Sequence, residues 1–130
     1  MLTSTFRRPA AALGLLLGLG GTLAFHRAGL HSDLLIEPGK QFVLGGGQPG
    51  SFRVAARNVG KVAVEFKERP RGGGSFGRAT LQPGQTATLR YLPGSSAVLL
   101  NSSAQLANVK LHVTGETSGL GMNYEPTGKL

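Results

Sequence analysis

Four basic side chains around a run of glycines are the residues in this sequence best suited to binding chemistry. They are Lys67, Arg69, Arg71 and Arg78, and they flank Gly72-Gly73-Gly74. Guanidinium groups bind phosphate, sulfate and carboxylate groups in a bidentate manner, and a flexible backbone lets several of them converge. We therefore predict that residues 67–78 form a loop able to hold an anionic ligand. The alternative is a solvated loop whose charges only keep the protein soluble.

Metal chemistry has two candidate ligands near the start of the chain. His26 and His31 lie close to Asp33, and an amino terminus produced near His26 would add a further ligand for Cu(II) or Zn(II). The chain has 3 histidines, 2 methionines and no cysteine, so it lacks a dense cluster of ligands. We predict no bound metal and no cofactor, and name His26 and His31 as the residues that would hold a metal.

The sequence gives little support for a catalytic function. Asp33 is the sole aspartate, and the glutamates are scattered along the chain. Ser95, His112 and Glu116 have the side-chain types of a hydrolase triad, but no nucleophile elbow frames the serine. Gly45-Gly46-Gly47 lacks the Lys-Ser/Thr that completes a phosphate-binding loop. We therefore predict that the protein is not an enzyme.

The clearest local structure is in residues 51–67, SFRVAARNVGKVAVEFK. Apolar and polar residues alternate on both sides of Asn58-Val59-Gly60, which is typical of strands with one buried face. A three-residue loop with Gly60 predicts a β-hairpin. In that register Val54 lies opposite Val64, and Arg53 forms a cross-strand pair with Glu65.

Turn signals separate further short strands. Pro-Gly occurs at 38–39, 49–50, 83–84 and 93–94, and suits type II turns, whose twist does not fit tight hairpins. We therefore interpret several of these turns as arches that carry the chain from one sheet to another. Asn101-Ser102-Ser103 matches a glycosylation acceptor, but we favour a simple turn. Seven or eight strands of this kind predict a β-sandwich.

Polar residues alternate with apolar ones in residues 85–92 and 106–114. If these strands are neighbours, one sheet face is lined by Thr86, Thr88, Arg90, Lys110, His112 and Thr114. Sheet faces that bind sugars usually carry exposed aromatic rings, which are scarce here. The sequence therefore predicts a polar face without a strong sugar-binding signal.

The first residues resemble an export signal. Arg7 and Arg8 precede an apolar run from Ala10 to Phe25 that is interrupted by glycines and is short for a membrane-spanning helix. Cleavage after Ala24 fits the small residues there, and an uncleaved membrane anchor is the alternative. The formal charge is +8 for all 130 residues, and removal of residues 1–24 leaves 12 basic and 6 acidic residues. This basic balance favours anionic partners.

The segments NVGKVAVEF, LQPGQTATLRY and AQLANVKLHVTG together resemble bacterial exported immunoglobulin-like or fibronectin-type-III-like modules. The resemblance covers about residues 50–115 and lacks the buried Trp and paired Cys of true immunoglobulin domains. It implies an immunoglobulin-like β-sandwich that serves as a spacer, an adhesion unit or a carbohydrate-binding accessory.

Together these features predict an all-β protein of about seven or eight antiparallel strands. The expected organisation is a signal peptide or anchor at 1–24, a flexible start at 25–33, a sandwich at 34–115, and a tail or edge strand at 116–130. The expected function is a non-catalytic structural or interaction module, exported to the periplasm, cell surface or medium. Its partner is a protein or an anionic polysaccharide of the cell envelope, and not a nucleic acid. A small carrier of carbohydrate, copper or zinc is the alternative.

Overall fold

The computed structural model describes residues 29–126, so the export signal predicted at 1–24 and His26 lie outside the described residues. Nine β-strands make up the described part of the chain. They are β1 (Leu30–Ile36), β2 (Lys40–Gly45), β3 (Phe52–Asn58), β4 (Val64–Arg69), β5 (Phe76–Leu81), β6 (Thr86–Tyr91), β7 (Ser96–Asn101), β8 (Ala107–Gly115) and β9 (Met122–Pro126).

The strands form two antiparallel sheets that pack face to face. The four-stranded sheet has the order β1-β8-β3-β6, and the five-stranded sheet has the order β9-β2-β7-β4-β5. The predicted all-β sandwich is therefore confirmed. Strand β1 pairs with β8, β2 with β7, β3 with β6 and β4 with β5, which is the wrapping of a jelly roll, a sandwich built from two Greek keys. In an immunoglobulin domain the first two strands share a sheet, whereas here β1 and β2 lie in different sheets.

The predicted hairpin between β3 and β4 is wrong. The two strands belong to different sheets, and the chain crosses the sandwich between them. Arg53 lies between Arg90 and Thr114 rather than opposite Glu65. The inward-facing residues are nevertheless as predicted, because Val54 and Val64 are both fully buried. Alternation fixes which face of a strand is buried, but it does not fix the neighbouring strand.

The side chain of Asn58 explains why the chain crosses at this point. Its amide Nδ2 donates to the carbonyls of Val62 (2.8 Å) and Leu81 (2.9 Å), and its Oδ1 accepts from the backbone N–H of Gly60 at 3.0 Å. Asn58 is fully buried. The side chain thus fastens the connection after β3 to the end of β5, in the other sheet.

Asn101 repeats this arrangement at the end of β7. Its Nδ2 donates to the carbonyls of Gln105 (2.7 Å) and Ile36 (2.8 Å), while its Oδ1 accepts from the backbone N–H of Ser103 at 3.0 Å. Both asparagines therefore bond residues two and four positions ahead and one carbonyl from the opposite sheet. Because the amide of Asn101 is buried and fully used, the interpretation of this segment as a turn is confirmed.

The four Pro-Gly turns all connect strands of different sheets, so their interpretation as arches is confirmed. Gly39, Gly84 and Gly94 have positive φ angles of 71°, 86° and 77°, as the third position of a type II turn requires. Among residues 29–126, the single connection that stays within a sheet is the hairpin between β4 and β5.

Two boundaries differ from the predictions, and a third agrees with one of two predicted alternatives. Strand β1 begins at Leu30, so residues 30–33 are extended and paired with β8 rather than a flexible start. The predicted loop at 67–78 is shortened to residues 70–75, because β4 continues to Arg69 and β5 begins at Phe76. At the other end, β9 forms an edge strand beside β2, which was one of the two alternatives for residues 116–130.

Candidate anion-binding face

The structure separates the four cations of the predicted loop. Lys67 lies on the outer face of the five-stranded sheet, opposite Val98. Arg69 reaches across that face to Glu125, with Nη2 and Oε1 at 3.1 Å. Arg71 lies in the β4–β5 hairpin, where its guanidinium group packs against the buried turn at Gly94. Lys67 and Arg69 thus share one sheet face, whereas the side chain of Arg71 lies in the hairpin.

Arg78 has a structural task at the edge of the sandwich. It is the extra residue of a β-bulge between β4 and β5, which turns its side chain towards the opposite sheet. Its Nη1 donates to Oε1 of the buried Glu68 at 2.6 Å and to the carbonyl of Arg90 at 2.9 Å. The other carboxylate oxygen of Glu68 accepts from the backbone N–H of Leu92 at 3.2 Å. The ion pair thus closes the gap between β5 and β6.

Tyr91 lies beneath this ion pair. The guanidinium carbon of Arg78 is 5.1 Å from the centre of its ring, and Phe52 stacks on the ring at 5.2 Å. The side chain is completely buried, and its hydroxyl has no hydrogen-bond partner among the described residues. Burial therefore raises the pKa of the Tyr91 hydroxyl above its ordinary value, the nearby Arg78 opposes the rise, and Glu68 adds to it.

Four other cations share one surface, the outer face of the four-stranded sheet. We call this surface the basic face, and it is lined by Arg53, Arg57, Arg90, Lys110, His31, His112, Ala55, Thr86, Thr88 and Thr114. The residues of the polar face predicted from the sequence therefore do share one sheet face, although β6 and β8 are not direct neighbours. Strand β3 runs between them and adds Arg53 and Arg57 to the centre of the face.

The cations of the basic face occupy two rows. Lys110 and Arg57 lie directly opposite each other on β8 and β3, and Arg53 and Arg90 lie opposite each other on β3 and β6. Like charges that lie directly opposite each other destabilise a sheet. Asp33, opposite Lys110 on β1, is the acidic residue at the end of one row. A ligand that supplies negative charge would remove this repulsion.

Within residues 29–126 the side chains of these four cations form no ion pair or hydrogen bond, although Asp33 lies opposite Lys110. Arg53, Arg57, Arg90 and Lys110 are all exposed. Among residues 29–126 the ion pairs are Lys40–Glu37, Arg69–Glu125 and Arg78–Glu68, and none of them involves the basic face. Their hydrogen-bonding groups are therefore available to a ligand.

A shallow depression of about 310 Å³ lies on the row containing Lys110 and Arg57. Its floor includes the small side chain of Ala55, and the hydroxyl groups of Thr86 and Thr88 line one side. The combination of two cations and two hydroxyl groups around a small central residue suits a carboxylate, sulfate or phosphate group.

The histidines lie at the β1 side of the same face. His31 and His112 are directly opposite each other and their rings stack with centroids 4.1 Å apart. Within residues 29–126 there is no group of three or more His, Cys, Asp or Glu side chains that could hold a metal ion. His31, one of the two candidate metal ligands, therefore lies beside His112, but these two histidines do not make a complete metal site within the described residues. His26, the other candidate ligand, lies outside the described residues.

Sequence reasoning missed the part that β3 plays in this face. The predicted pairing of Arg53 with Glu65 gives Arg53 an acidic neighbour, whereas its neighbours in the sheet are Arg90 and Thr114. The available signal was that residues 53, 55 and 57 alternate with apolar residues, as residues 86, 88 and 90 do. Without the strand order, that signal could not show that these residues share one sheet.

Residues 29–126 include no helix that is long and apolar enough to cross a membrane.

Comparison of the chain with known protein families, with curated proteins and with solved structures finds no match.

Proposed function

We propose that this protein is a non-catalytic, exported β-sandwich that binds an anionic polymer of the cell envelope through its basic face. The observation that carries the proposal is the pair of like-charged rows, Lys110–Arg57 and Arg53–Arg90, which have no acidic partner within residues 29–126 apart from Asp33. The sequence resemblance to exported immunoglobulin-like modules extends to the two-sheet sandwich but not to its strand order, and it supports an interaction role. The apolar run after Arg7 and Arg8 supports export.

The spacing of the two rows favours a polymer over a small anion. Arg53 and Arg57 are four residues apart on one strand, which corresponds to about 13 Å. One carboxylate or phosphate group cannot contact both rows, whereas a chain with repeated anionic groups can. Acidic polysaccharides have such repeats. The hydroxyl group of Thr88 between the rows, and those of Thr86 and Thr114 at the ends of the rows, can bond to sugar hydroxyl groups.

The proposal that the protein is not an enzyme has support from the placement of two of the three triad candidates. Ser95 is buried in the turn between β6 and β7, whereas His112 lies on the outer face of the four-stranded sheet. The side chains therefore lie in different environments on different elements.

The experiment measures binding to polygalacturonate, a polymer of carboxylate-bearing sugars, and to its monomer galacturonate. The test variant is Arg57→Gln with Lys110→Gln, and its matched control is Lys61→Gln with Lys67→Gln, which removes the same charge elsewhere. We expect polymer binding that weakens with salt, a loss of about tenfold or more in the test variant, and a clearly smaller loss in the control. Equal losses in both variants would refute a specific basic face, and monomer binding as tight as polymer binding would refute the polymer assignment.

A further inference from the structure

The outer edge of β1 forms a second interaction surface. We propose that β1 pairs with β1 of a second copy of this chain in antiparallel orientation, which joins two four-stranded sheets into one continuous sheet. The proposal does not depend on anion binding. It rests on the direction of the backbone groups in β1, on the protection of the other sheet edges, and on the charges of two side chains.

The hydrogen bonds of β8 show which groups of β1 point outward. The backbone N–H of Val59 donates to the carbonyl of Asn108 at 3.1 Å, so the backbone groups of Asn108 are directed towards β3. Because successive residues of a strand direct their backbone groups to opposite sides, those of Val109 are directed towards β1, where Val109 pairs with Leu34.

It follows that Leu34 bonds to β8, and that its neighbours direct their backbone groups away from the sheet. The hydroxyl of Tyr124 donates to the carbonyl of Leu35 at 3.3 Å, which agrees with this assignment. By the same alternation, the N–H and C=O groups of His31 and Asp33 point outward. No strand of the described chain pairs with this side of β1. A row of such groups is a template for another strand.

The other three sheet edges each carry a feature that opposes pairing. The β-bulge after Phe66 interrupts the ladder of β5 with β4. On β6, the carbonyl of Arg90 already accepts a bond from Arg78. Strand β9 has five residues and ends with Pro126, which has no N–H group. In contrast, β1 has seven residues in a regular register without a bulge. Residues 30–33 of β1 are therefore the part of the sheet edges that is best suited to an added strand.

Side-chain charge selects one register for this pairing. When His31 lies opposite Asp33 of the second copy, Asp33 also lies opposite His31 of that copy, and both pairs are favourable. The same two pairs exchange four backbone hydrogen bonds, because both residues direct their N–H and C=O groups outward. A shift by two residues would place the two Asp33 side chains opposite each other, or the two His31 side chains, and is less favourable.

This pairing has a consequence for the shape of the assembly. A twofold axis perpendicular to the joined sheet leaves both basic faces on the same side. The assembly then presents the two rows of each copy as one surface of twice the width, so a long polyanion could contact both copies at once.

Sedimentation analysis of the purified protein over a dilution series tests the proposal. We expect a reversible monomer–dimer equilibrium. Asp33→Pro removes an outward N–H group and no bond to β8, so it should leave the monomer folded and abolish the dimer. Asp33→Asn retains that N–H group and is the matched control, which should weaken the dimer by less. Asp33→Lys, which creates two repulsive pairs with His31, tests the register without a proline.

Hydrogen exchange provides an independent readout. The amides of His31 and Asp33 should become protected as the concentration rises, whereas the amide of Leu34 should be protected at all concentrations. A monomer at every concentration would overturn the proposal. A dimer that persists in both Asp33→Pro and Asp33→Lys would also overturn it, because the contact would then lie elsewhere.

Discussion

The buried asparagine at the end of β3 leads to the most specific prediction about stability. We expect Asn58→Ala to destabilise the fold by about 4 kcal/mol. The side chain makes three hydrogen bonds of 2.8–3.0 Å, and the carbonyl of Leu81 lies where water cannot replace the lost donor. An unsatisfied buried carbonyl costs about 1–3 kcal/mol, and each of the two more accessible bonds contributes about 0.5–1.5 kcal/mol.

The expected loss is a large part of the stability of a domain of this size, which is about 5–15 kcal/mol. Urea denaturation monitored by circular dichroism measures this loss in the free energy of unfolding, provided that the m-value is unchanged between variants. Asn123→Ala is the matched control, because Asn123 is an exposed asparagine on β9. Its free energy of unfolding should change by about 0.5 kcal/mol or less.

A second variant separates this explanation from a general intolerance to mutation at strand ends. Asn101→Ala removes the same set of bonds at the end of β7 and should be destabilising by a similar amount. If Asn58→Ala costs less than about 1 kcal/mol, or no more than Asn123→Ala, the asparagine does not hold the crossing. The explanation for the failed hairpin prediction would then be wrong.

Two further predictions concern the sheet edge and the N-terminal segment. Arg78→Met should destabilise the protein by about 3 kcal/mol, because it leaves the buried carboxylate of Glu68 without a cation. The double variant Arg78→Met with Glu68→Gln should recover part of this loss in a double-mutant cycle, and a purely additive result would show that the two side chains act independently. The mass of the protein recovered from its native host should correspond to cleavage after Ala24, as the export proposal predicts. A full-length chain in the cytoplasmic fraction would contradict export.

Local patterns were sufficient to predict the strands and their buried faces. Val54, Val64 and Val109 are in the core, and the alternation around each of them indicated this. The Pro-Gly turns also showed where the chain leaves a sheet, because their twist does not fit a tight hairpin. Each of these inferences depends on residues close together in the sequence.

Strand order could not be predicted in the same way. In this wrapping β1 pairs with β8, so residues such as His31 and His112 become neighbours across most of the chain. The alternation of β3 is satisfied equally well beside β4 or beside β6, since both place Val54 in a core. The choice between these two neighbouring strands depends on Asn58. Its hydrogen bond to the carbonyl of Leu81 can be recognised only after the fold has brought the two residues together.

The same dependence on strand order explains why the site predicted from the sequence, at residues 67–78, differs from the basic face. Arg69 and Arg78 belong to a cluster of cations in the sequence, but each forms an ion pair within the protein. Arg69 pairs with Glu125, and Arg78 pairs with Glu68. Arg53 and Arg57 are separated in the sequence from Arg90 and Lys110, and only the sheet brings them together. A cation that has an internal partner stabilises the fold, whereas a cation beside another cation lowers stability. The second kind is therefore the better guide to where an anionic partner binds.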